Sequence, residues 1–215
     1  MIIYKYIKEK TMANKKSWLV ILVMVLVFGM TVVGCDEIED LIDLNYKVGG
    51  TGPAGGLIFY DKGDNSNGWR YLEAAPEDLP GKLKWSSERF DSDYEFERAV
   101  GKGKPNTQAI MAGAAKIGGG FGWAAQACTA LTVNGYNDWF LPSRDELHYM
   151  YGHLHMQGLG DFKKEDYWSS TFSHLAFSTV VYVWREDFSN GEQHNTSTNT
   201  AELRVRPIRQ VPGAD

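Results

Sequence analysis

The segment most informative about the fold is Asn-Asp-Trp-Phe-Leu-Pro-Ser-Arg-Asp-Glu-Leu, residues 137–147. Its apolar residues at 139–141 predict a buried segment that ends at Pro142. Ser143 with Glu146 three residues later has the spacing of a capping box, which predicts that a helix begins here. The stretch therefore predicts a joint between a helical middle section and a C-terminal sheet. It carries no catalytic signature of its own.

Segments with strand-like and helix-like patterns lie on both sides of this joint. The mixture predicts an α+β fold, a single domain with an antiparallel β-sheet and two to three helices. Asn106 is the expected cap of the first helix. The predicted elements are strands at 57–60 and 69–74, helices at 106–115, 123–131 and 143–153, strands at 167–171, 177–184 and 203–209, and a polar loop at 189–200.

A glycine-rich stretch, residues 49–56, has the composition of a phosphate-binding loop but not its order. A nucleotide-binding loop follows a strand and precedes a helix, and a P-loop also needs a lysine and a serine or threonine. This stretch precedes a predicted strand instead. It is therefore interpreted as a turn.

The N-terminal segment has the layout of an export signal. Lys15 and Lys16 precede an apolar run at 18–30, which is shorter than the roughly 20 residues that span a bilayer. Val-Val-Gly-Cys at 32–35 resembles the bacterial lipobox, which implies that Cys35 is lipidated and becomes the first residue of the mature chain. We therefore expect a signal peptide at 1–34, a lipidated acidic tether at 35–47 and a domain at 48–211.

Export changes the electrostatics of the protein. The first 34 residues hold five lysines and one acid, so 17 basic and 26 acidic residues remain and the mature net charge is −9. Such a surface repels nucleic-acid backbones, so no nucleic-acid partner is expected. The membrane is the expected partner, through the lipid. With Cys35 acylated, Cys128 has no partner for an intramolecular disulfide, and its apolar surroundings favour a core role.

Several motifs in a fixed order resemble the Lcl C-terminal domain family, which is named for the C-terminal part of a Legionella collagen-like adhesin. The resemblance runs from about Val48 to Arg209. Its motifs are Gly-Pro-Ala-Gly-Gly-Leu-Ile-Phe-Tyr at 52–60, Asn-Thr-Gln at 106–108, Ala-Ala-Gln-Ala-Cys at 124–128, Asn-Asp-Trp-Phe-Leu-Pro-Ser at 137–143, Tyr-Trp-Ser-Ser-Thr at 167–171 and Val-Arg-Pro-Ile-Arg at 205–209.

This resemblance implies a non-catalytic binding module of the cell envelope or surface, adhesin-like, with a glycan or protein ligand. More distantly, the joint and the Trp-Ser-Ser-Thr strand resemble the C-type-lectin-like architecture shared with formylglycine-generating enzymes, which is an analogy of fold alone. Two alternatives remain open: a structural envelope lipoprotein without a small ligand, and a divergent enzyme. Formylglycine-generating enzymes use a late cysteine pair, whereas no cysteine follows Cys128. We expect no enzyme activity and no cofactor.

Two kinds of side chain are candidates for ligand binding. Trp85 and Trp184 lie near predicted loops, where an indole ring can stack on a sugar. Arg204, Arg206 and Arg209 alternate along the last predicted strand and are the candidate basic patch for sulfated glycosaminoglycans, with which the named adhesin is associated. An ion-paired or solvated face is the competing interpretation of such a strand.

Metal binding has two candidate groups. Asn134, Asn137 and Asp138 supply oxygen ligands of the kind that calcium prefers, although turn formation explains the same residues and no acidic cluster completes the shell. The histidines at 148, 153 and 155 lie close in sequence but lack a carboxylate or cysteine at a fixed spacing, so surface positions are the simpler interpretation. Calcium is therefore the metal considered.

Overall fold

A computed structural model describes residues 45–86, 96–116, 123–173, 182–197 and 201–214 of the chain. Residues 44–215 form one compact unit. The predicted signal peptide, the lipidation site Cys35 and most of the predicted tether lie outside the described residues, and they stay predictions. No helix within those ranges is long and apolar enough to cross a membrane.

Three α-helices and eight β-strands lie in the described ranges, which confirms the α+β class. The C-type-lectin-like architecture stays a prediction. The elements are β1 (Leu57–Asp61), β2 (Tyr71–Ala74), β3 (Leu83–Lys84), α1 (Gly103–Lys116), α2 (Trp123–Ala130), α3 (Arg144–His153), β4 (Asp166–Ser173), β5 (Tyr182–Asp187), β6 (Glu192–Ser197), β7 (Glu202–Leu203) and β8 (Ile208–Val211).

The strands form three antiparallel sheets with the orders β1-β2-β8, β3-β7 and β4-β5-β6. In the first sheet the last described strand, β8, pairs with β2 of the first hairpin. In the third sheet β5 lies between β4 and β6. Two large hydrophobic clusters fill the core, one around Trp85 and Trp168 and one around Phe59 and Phe188.

The joint at 137–147 connects the helices to two of these sheets. Trp139 is buried, and Phe140 exchanges two backbone hydrogen bonds with Ile208 of β8. The carbonyl of Pro142 accepts a hydrogen bond from the backbone N–H of Ser170 in β4 at 2.7 Å. The predicted joint is confirmed, because its backbone is the bridge between the end of the middle section and both sheets.

The predicted capping box is also confirmed. The Ser143 hydroxyl accepts from the backbone N–H of Glu146, and the Glu146 carboxylate accepts from the backbone N–H of Ser143 at 2.7 Å. Glu146 is fully buried and also accepts from the backbone N–H of Gly101 at 2.8 Å. The cap of α3 therefore also fixes the loop that leads into α1.

The glycine-rich stretch is a turn, as predicted, and an internal carboxylate occupies its amides. Buried Glu73 of β2 accepts from the backbone N–H groups of Ala54 at 3.0 Å and Gly56 at 2.9 Å. A Cβ on Gly56 would lie 1.9 Å from the carbonyl oxygen of Ala74, so only glycine fits there. The backbone amides of this turn therefore bind the carboxylate of Glu73.

Three predictions of secondary structure need correction. Residues 192–197 lie in the predicted polar loop but form β6, because pairing with β5 supplies the order that their polar sequence does not. The predicted strand at 203–209 is divided into β7 and β8, with Pro207 between them. Asn106 lies inside α1 instead of capping it, and its side-chain amide donates to the carbonyl of Glu97 at 2.7 Å.

Candidate functional site

Two of the three predicted C-terminal arginines are locked into ion pairs. Arg206 is 2% exposed, and its Nε donates to Asp78 Oδ1 at 2.7 Å. Its Nη2 donates to the carbonyl of Gly160 at 2.9 Å. Arg204 is more exposed but donates from Nε and Nη2 to Glu165 Oε1 at 2.9 and 2.7 Å. These contacts correct the expectation of an exposed basic patch, since both guanidinium groups bind the domain's own acids.

Arg209, the third, is 4% exposed and also ion-paired. It donates from Nε and Nη2 to the two carboxylate oxygens of Asp138 at 2.7 and 3.1 Å, and from Nη1 to Glu73 at 3.1 Å. Its guanidinium lies 4.0 Å from the ring centroid of Tyr136. Arg209 thus connects β8 to the glycine-rich turn and to the loop before the joint, which is a scaffold role.

The same contacts bear on the candidate calcium ligands. Both carboxylate oxygens of Asp138 accept from Arg209, and Asn134 uses its side-chain amide to donate to the carbonyl of Ala54 at 2.9 Å. Asn134 also has a positive φ of 49°, the turn conformation that asparagine tolerates. Turn formation and ion pairing therefore account for two of the three residues. Asn137 is exposed, and calcium binding through it stays a prediction.

The two candidate tryptophans differ in exposure. Trp85 is 1% exposed, belongs to a core cluster and donates from Nε1 to the carbonyl of Ser169 at 2.8 Å. This burial corrects the prediction that Trp85 stacks on a ligand. Trp184 of β5 is half-buried and reaches the surface beside α3. It remains the tryptophan around which a ligand site can form.

The histidines contact different partners. Nδ1 of His153 lies 2.8 Å from the carbonyl oxygen of Phe59, whereas the His155 ring lies 5.3 Å from that of Phe188. Nδ1 of His148 lies 2.8 Å from Glu186 Oε1. Within the described ranges, no group of three His, Cys, Asp or Glu residues is arranged to hold a metal ion.

A polar cluster surrounds Trp184 where α3 meets β5 and β6. The guanidinium carbon of Arg144 lies 3.7 Å from the centroid of the Trp184 ring. Arg144 Nε donates to Gln193 Oε1 at 2.7 Å, and Gln193 Nε2 donates to Glu186 Oε2 at 3.1 Å. Glu186 in turn contacts His148. We call these five residues, Arg144, His148, Trp184, Glu186 and Gln193, the tryptophan cluster.

Local structure places each member of the tryptophan cluster. Arg144 and His148 are four residues apart on α3 and therefore share one helix face. Trp184 and Glu186 are two residues apart on β5 and share one face of the sheet. Gln193 of β6 pairs directly with Glu186. The capped start of α3 thus brings a helix face against one face of a hairpin.

Arg144 differs from the other described arginines. The six others, at 70, 98, 185, 204, 206 and 209, each have a carboxylate oxygen within 4.0 Å. Arg144 has no such partner among the described residues, and its Nη1 and Nη2 make no hydrogen bond to them. Partial burial lowers the pKa of its guanidinium, and the more distant Asp145 opposes that shift. A stacked arginine with a free fork is suited to a planar anion.

The other end of the cluster contains a buried acid behind an exposed histidine. The Glu186 side chain is 0% exposed, whereas that of His148 is 59% exposed. Burial raises the pKa of Glu186, and the hydrogen bonds from His148 and Gln193 oppose that rise. With Nδ1 fixed on Glu186, His148 turns its Nε2 to solvent as a second oriented polar group.

Sequence reasoning found only Trp184 of this cluster. Arg144 lies in the predicted helix at 143–153 without a role of its own, and His148 is predicted to be a surface residue. Gln193 lay in the segment interpreted as a loop. The signals that were present are the helical spacing of 144 and 148 and the alternating spacing of 184 and 186, but neither reveals that the two elements pack together.

Together the fold and the cluster define a small α+β domain with buried ion pairs and a partly exposed aromatic–arginine cluster around Trp184. A model of the Lcl C-terminal domain family matches residues 74–209. This match covers more than half of the chain and includes the whole tryptophan cluster, so the chain belongs to the Lcl C-terminal domain family. No curated protein matches the chain in sequence.

Proposed function

We propose that this protein is an exported lipoprotein, anchored to the bacterial cell membrane or outer membrane through Cys35, whose domain is a non-catalytic binding module. The tryptophan cluster binds the ligand, and the ligand is a surface glycan with an acidic group. The family membership supports a surface or adhesin-type role. The lipobox-like sequence before Cys35 and the tether rich in acids support the anchor.

The observation that carries the ligand assignment is Arg144, whose guanidinium carbon lies 3.7 Å from the centroid of the Trp184 ring and which has no acidic partner among the described residues. The stacking and the bond to Gln193 leave four N–H donors on Nη1 and Nη2. A carboxylate or sulfate group accepts two parallel hydrogen bonds from such a fork. Because the arginine is already fixed in place, binding loses little side-chain entropy.

The remaining cluster residues suit hydroxyl groups. His148 has its Nε2 as a polar atom beyond the Nδ1 contact with Glu186, Gln193 Oε1 keeps a second lone pair beside its bond from Arg144, and the Trp184 ring offers an apolar face of the kind found in small-molecule sites. Glu186 fixes the orientation of both polar side chains. A sugar ring carries hydroxyl groups at its edge and C–H groups on its face, which matches this combination.

A glycan array probed with the mature chain tests the proposal. We expect binding to glycans that carry carboxylate or sulfate groups, weaker binding at high salt because the contact includes an ion pair, and no dependence on added calcium. Trp184→Ala should abolish the signal. Binding to no glycan under any of these conditions would contradict the assignment and favour a protein ligand or a structural role.

The anchor has its own test. Cys35→Ala should move the protein from the detergent phase to the aqueous phase in a two-phase partition, because the acyl chains are lost with the thiol. A variant that partitions like the parent would contradict lipidation. This result is independent of the glycan array, so the anchor and the ligand site are judged separately.

A further inference from the structure

Exposed apolar side chains are concentrated at one end of the domain. Five large hydrophobic residues are exposed in the described ranges, and four of them lie in α3, in the turns directly after it or in the loop before β1. These four are Val48 at 44%, Tyr149 at 38%, Met156 at 60% and Leu159 at 36% exposure. The fifth, Trp123, begins α2.

Contacts join most of these residues, and Met156 lies in the turn at 155–157, three positions before Leu159. A Cβ on Gly49 would lie 3.3 Å from Leu159 Cδ1, so the loop that bears Val48 contacts the segment after α3. The Tyr149 ring lies 4.9 Å from that of Tyr60 in β1. We call Val48, Tyr60, Tyr149, Met156 and Leu159 the apolar face.

Strand β1 connects the two parts of this face. The backbone N–H of Gly49 donates to the carbonyl of Ile58 at 2.7 Å. One residue further along the strand, the carbonyl oxygen of Phe59 lies 2.8 Å from His153 Nδ1. The His153 ring lies 5.3 Å from that of Tyr149. The loop, the strand and the helix therefore form adjoining parts of a single surface.

The chain enters the compact domain at this surface. Asn45 is the first described residue, and Val48 follows three positions later. Cys35 lies ten residues before Asn45, and ten residues span at most about 35 Å when fully extended. A domain of this size is about 40 Å across. A lipid on Cys35 would therefore keep the apolar face within one tether length of the bilayer.

We propose that the apolar face contacts the lipid bilayer and sets the orientation of the anchored domain. The proposal rests on the lipid anchor of the proposed function. Tyrosine side chains are suited to the headgroup region, where the apolar ring is buried and the hydroxyl stays wet. Valine, methionine and leucine side chains are wholly apolar and gain from burial in the upper acyl region. Lys47, exposed beside Val48, adds attraction to anionic headgroups.

The face is small, so it does not hold the domain on a membrane by itself. Once the lipid anchor is inserted, the apolar face is tethered beside the bilayer. Its effective concentration there is high, so even a weak contact between the face and the bilayer can form. Two signals of this kind, one acyl and one surface contact, give a domain a preferred orientation on the bilayer.

Fluorescence quenching in vesicles tests this proposal on the full lipidated chain. Met156→Cys is labelled with an environment-sensitive nitrobenzoxadiazole dye, and Ala130→Cys at the exposed end of α2 is the matched control. Cys128 is fully buried and Cys35 is acylated, so neither should react. Vesicles of phosphatidylethanolamine and phosphatidylglycerol carry nitroxide groups on their acyl chains.

We expect quenching at position 156 to exceed that at position 130 by roughly threefold or more, because only the first dye reaches the bilayer. Equal quenching at both positions would overturn the proposal. So would a dye signal at 156 that responds to protein dilution but not to nitroxide lipid, which would assign the face to a second copy of the chain.

Failure of the anchor gives a different result. If the unmutated chain stays in the aqueous fraction and reacts with the dye at Cys35, the lipid is absent. That result would refute both the anchor and the membrane contact that rests on it. If that chain is vesicle-bound and unlabelled but position 156 is not quenched, the apolar face alone is refuted and the anchor stands.

Discussion

At the scale of single residues, the surroundings of each arginine separate scaffold from candidate site. Arg206 is 2% exposed and binds Asp78 and backbone carbonyls, so its charge is satisfied within the domain. Arg144 stacks on Trp184 and keeps two nitrogen groups without a partner among the described residues. The same residue type therefore serves stability in one place and, in the function we propose, recognition in the other.

Removing the charge at Arg206 should strongly destabilise the domain. Arg206→Ala leaves the largely buried Asp78 with only the Tyr167 hydroxyl at 2.8 Å and Arg204 at 3.9 Å among the described residues, so the loss should be about 3 kcal/mol, the lower end for a broken buried pair. Urea denaturation followed by circular dichroism measures the loss. Arg98→Ala is the control, because that arginine is 68% exposed and its change should stay within about 0.5 kcal/mol. Equal effects of the two substitutions would refute the scaffold role.

Glu146 should make the stability of the domain depend on pH. Complete burial raises the pKa of this carboxyl to about 7, although three backbone N–H groups oppose the rise. The folded state then holds the proton more tightly than the unfolded state. This contribution is fully present below about pH 4.5 and is lost as the pH rises to about 7, amounting to roughly 3 kcal/mol over that range.

Urea titrations at intervals between pH 4.5 and 8 measure this effect. Glu146→Gln cannot titrate, so its free energy of unfolding should vary less with pH than that of the parent, by up to about 1.4 kcal/mol per pH unit. The variant also loses part of the α3 cap, which lowers its stability at every pH. Parallel curves for the two proteins would show that Glu146 does not titrate in this range.

At the scale of elements, sequence patterns predicted the features that depend only on residues close together in the chain. The capping box at Ser143 gives the start of α3, and the β1–β2 hairpin follows from its alternation and its polar turn. Strand β6 was missed because Glu192 to Ser197 contains no β-branched residue except Thr196 and no buried apolar face. Its conformation comes from pairing along β5, which no pattern within the segment reveals.

The turn between β5 and β6 offers a test of how closely the hairpin packs on α3. Gly191 has φ +80°, and an added Cβ would lie 2.5 Å from the Tyr151 ring. Gly63 has φ +88° with open space around it. Gly63→Ala should cost about 1 kcal/mol from backbone strain alone. Gly191→Ala should cost more, about 2–3 kcal/mol, because Tyr151 must also move.

Thermal and urea denaturation of both glycine variants measure this difference. The Gly191 variant should also weaken glycan binding, since displacement of Tyr151 disturbs the face of α3 that carries Arg144. The Gly63 variant should bind like the parent. Equal stability losses in the two variants would mean that the hairpin does not press against α3 as described.

At the scale of the whole molecule, the fold class and the joint were predictable but the site was not. The order of strand-like and helix-like segments indicated an α+β domain, and 137–147 indicated its connection. The tryptophan cluster draws Arg144 from α3, Trp184 and Glu186 from β5, and Gln193 from β6. These residues lie up to 49 positions apart and meet only through tertiary packing.

The prediction of an exposed basic patch was wrong for the same reason, because residues that contact each other in the fold lie far apart in the chain. Arginines at 204, 206 and 209 look available along a strand. Their partners Glu165, Asp78 and Asp138 lie far away in the chain, and only the fold brings them together. Residues 35–215 carry a net charge of −9, and six of the seven described arginines have a carboxylate within 4.0 Å. Arg144, which has no acidic partner among the described residues, is the exception that points to a candidate site.

The most direct test of the account compares glycan-array binding by the mature chain, Arg144→Gln and the control Arg98→Gln. Arg144→Gln removes the charge that Trp184 holds toward solvent, and it touches none of the buried ion pairs. We expect binding of acidic glycans by the parent and by the control, and at least a tenfold loss for Arg144→Gln, about 1.4 kcal/mol. Equal binding by all three proteins, or none by the parent, would contradict it.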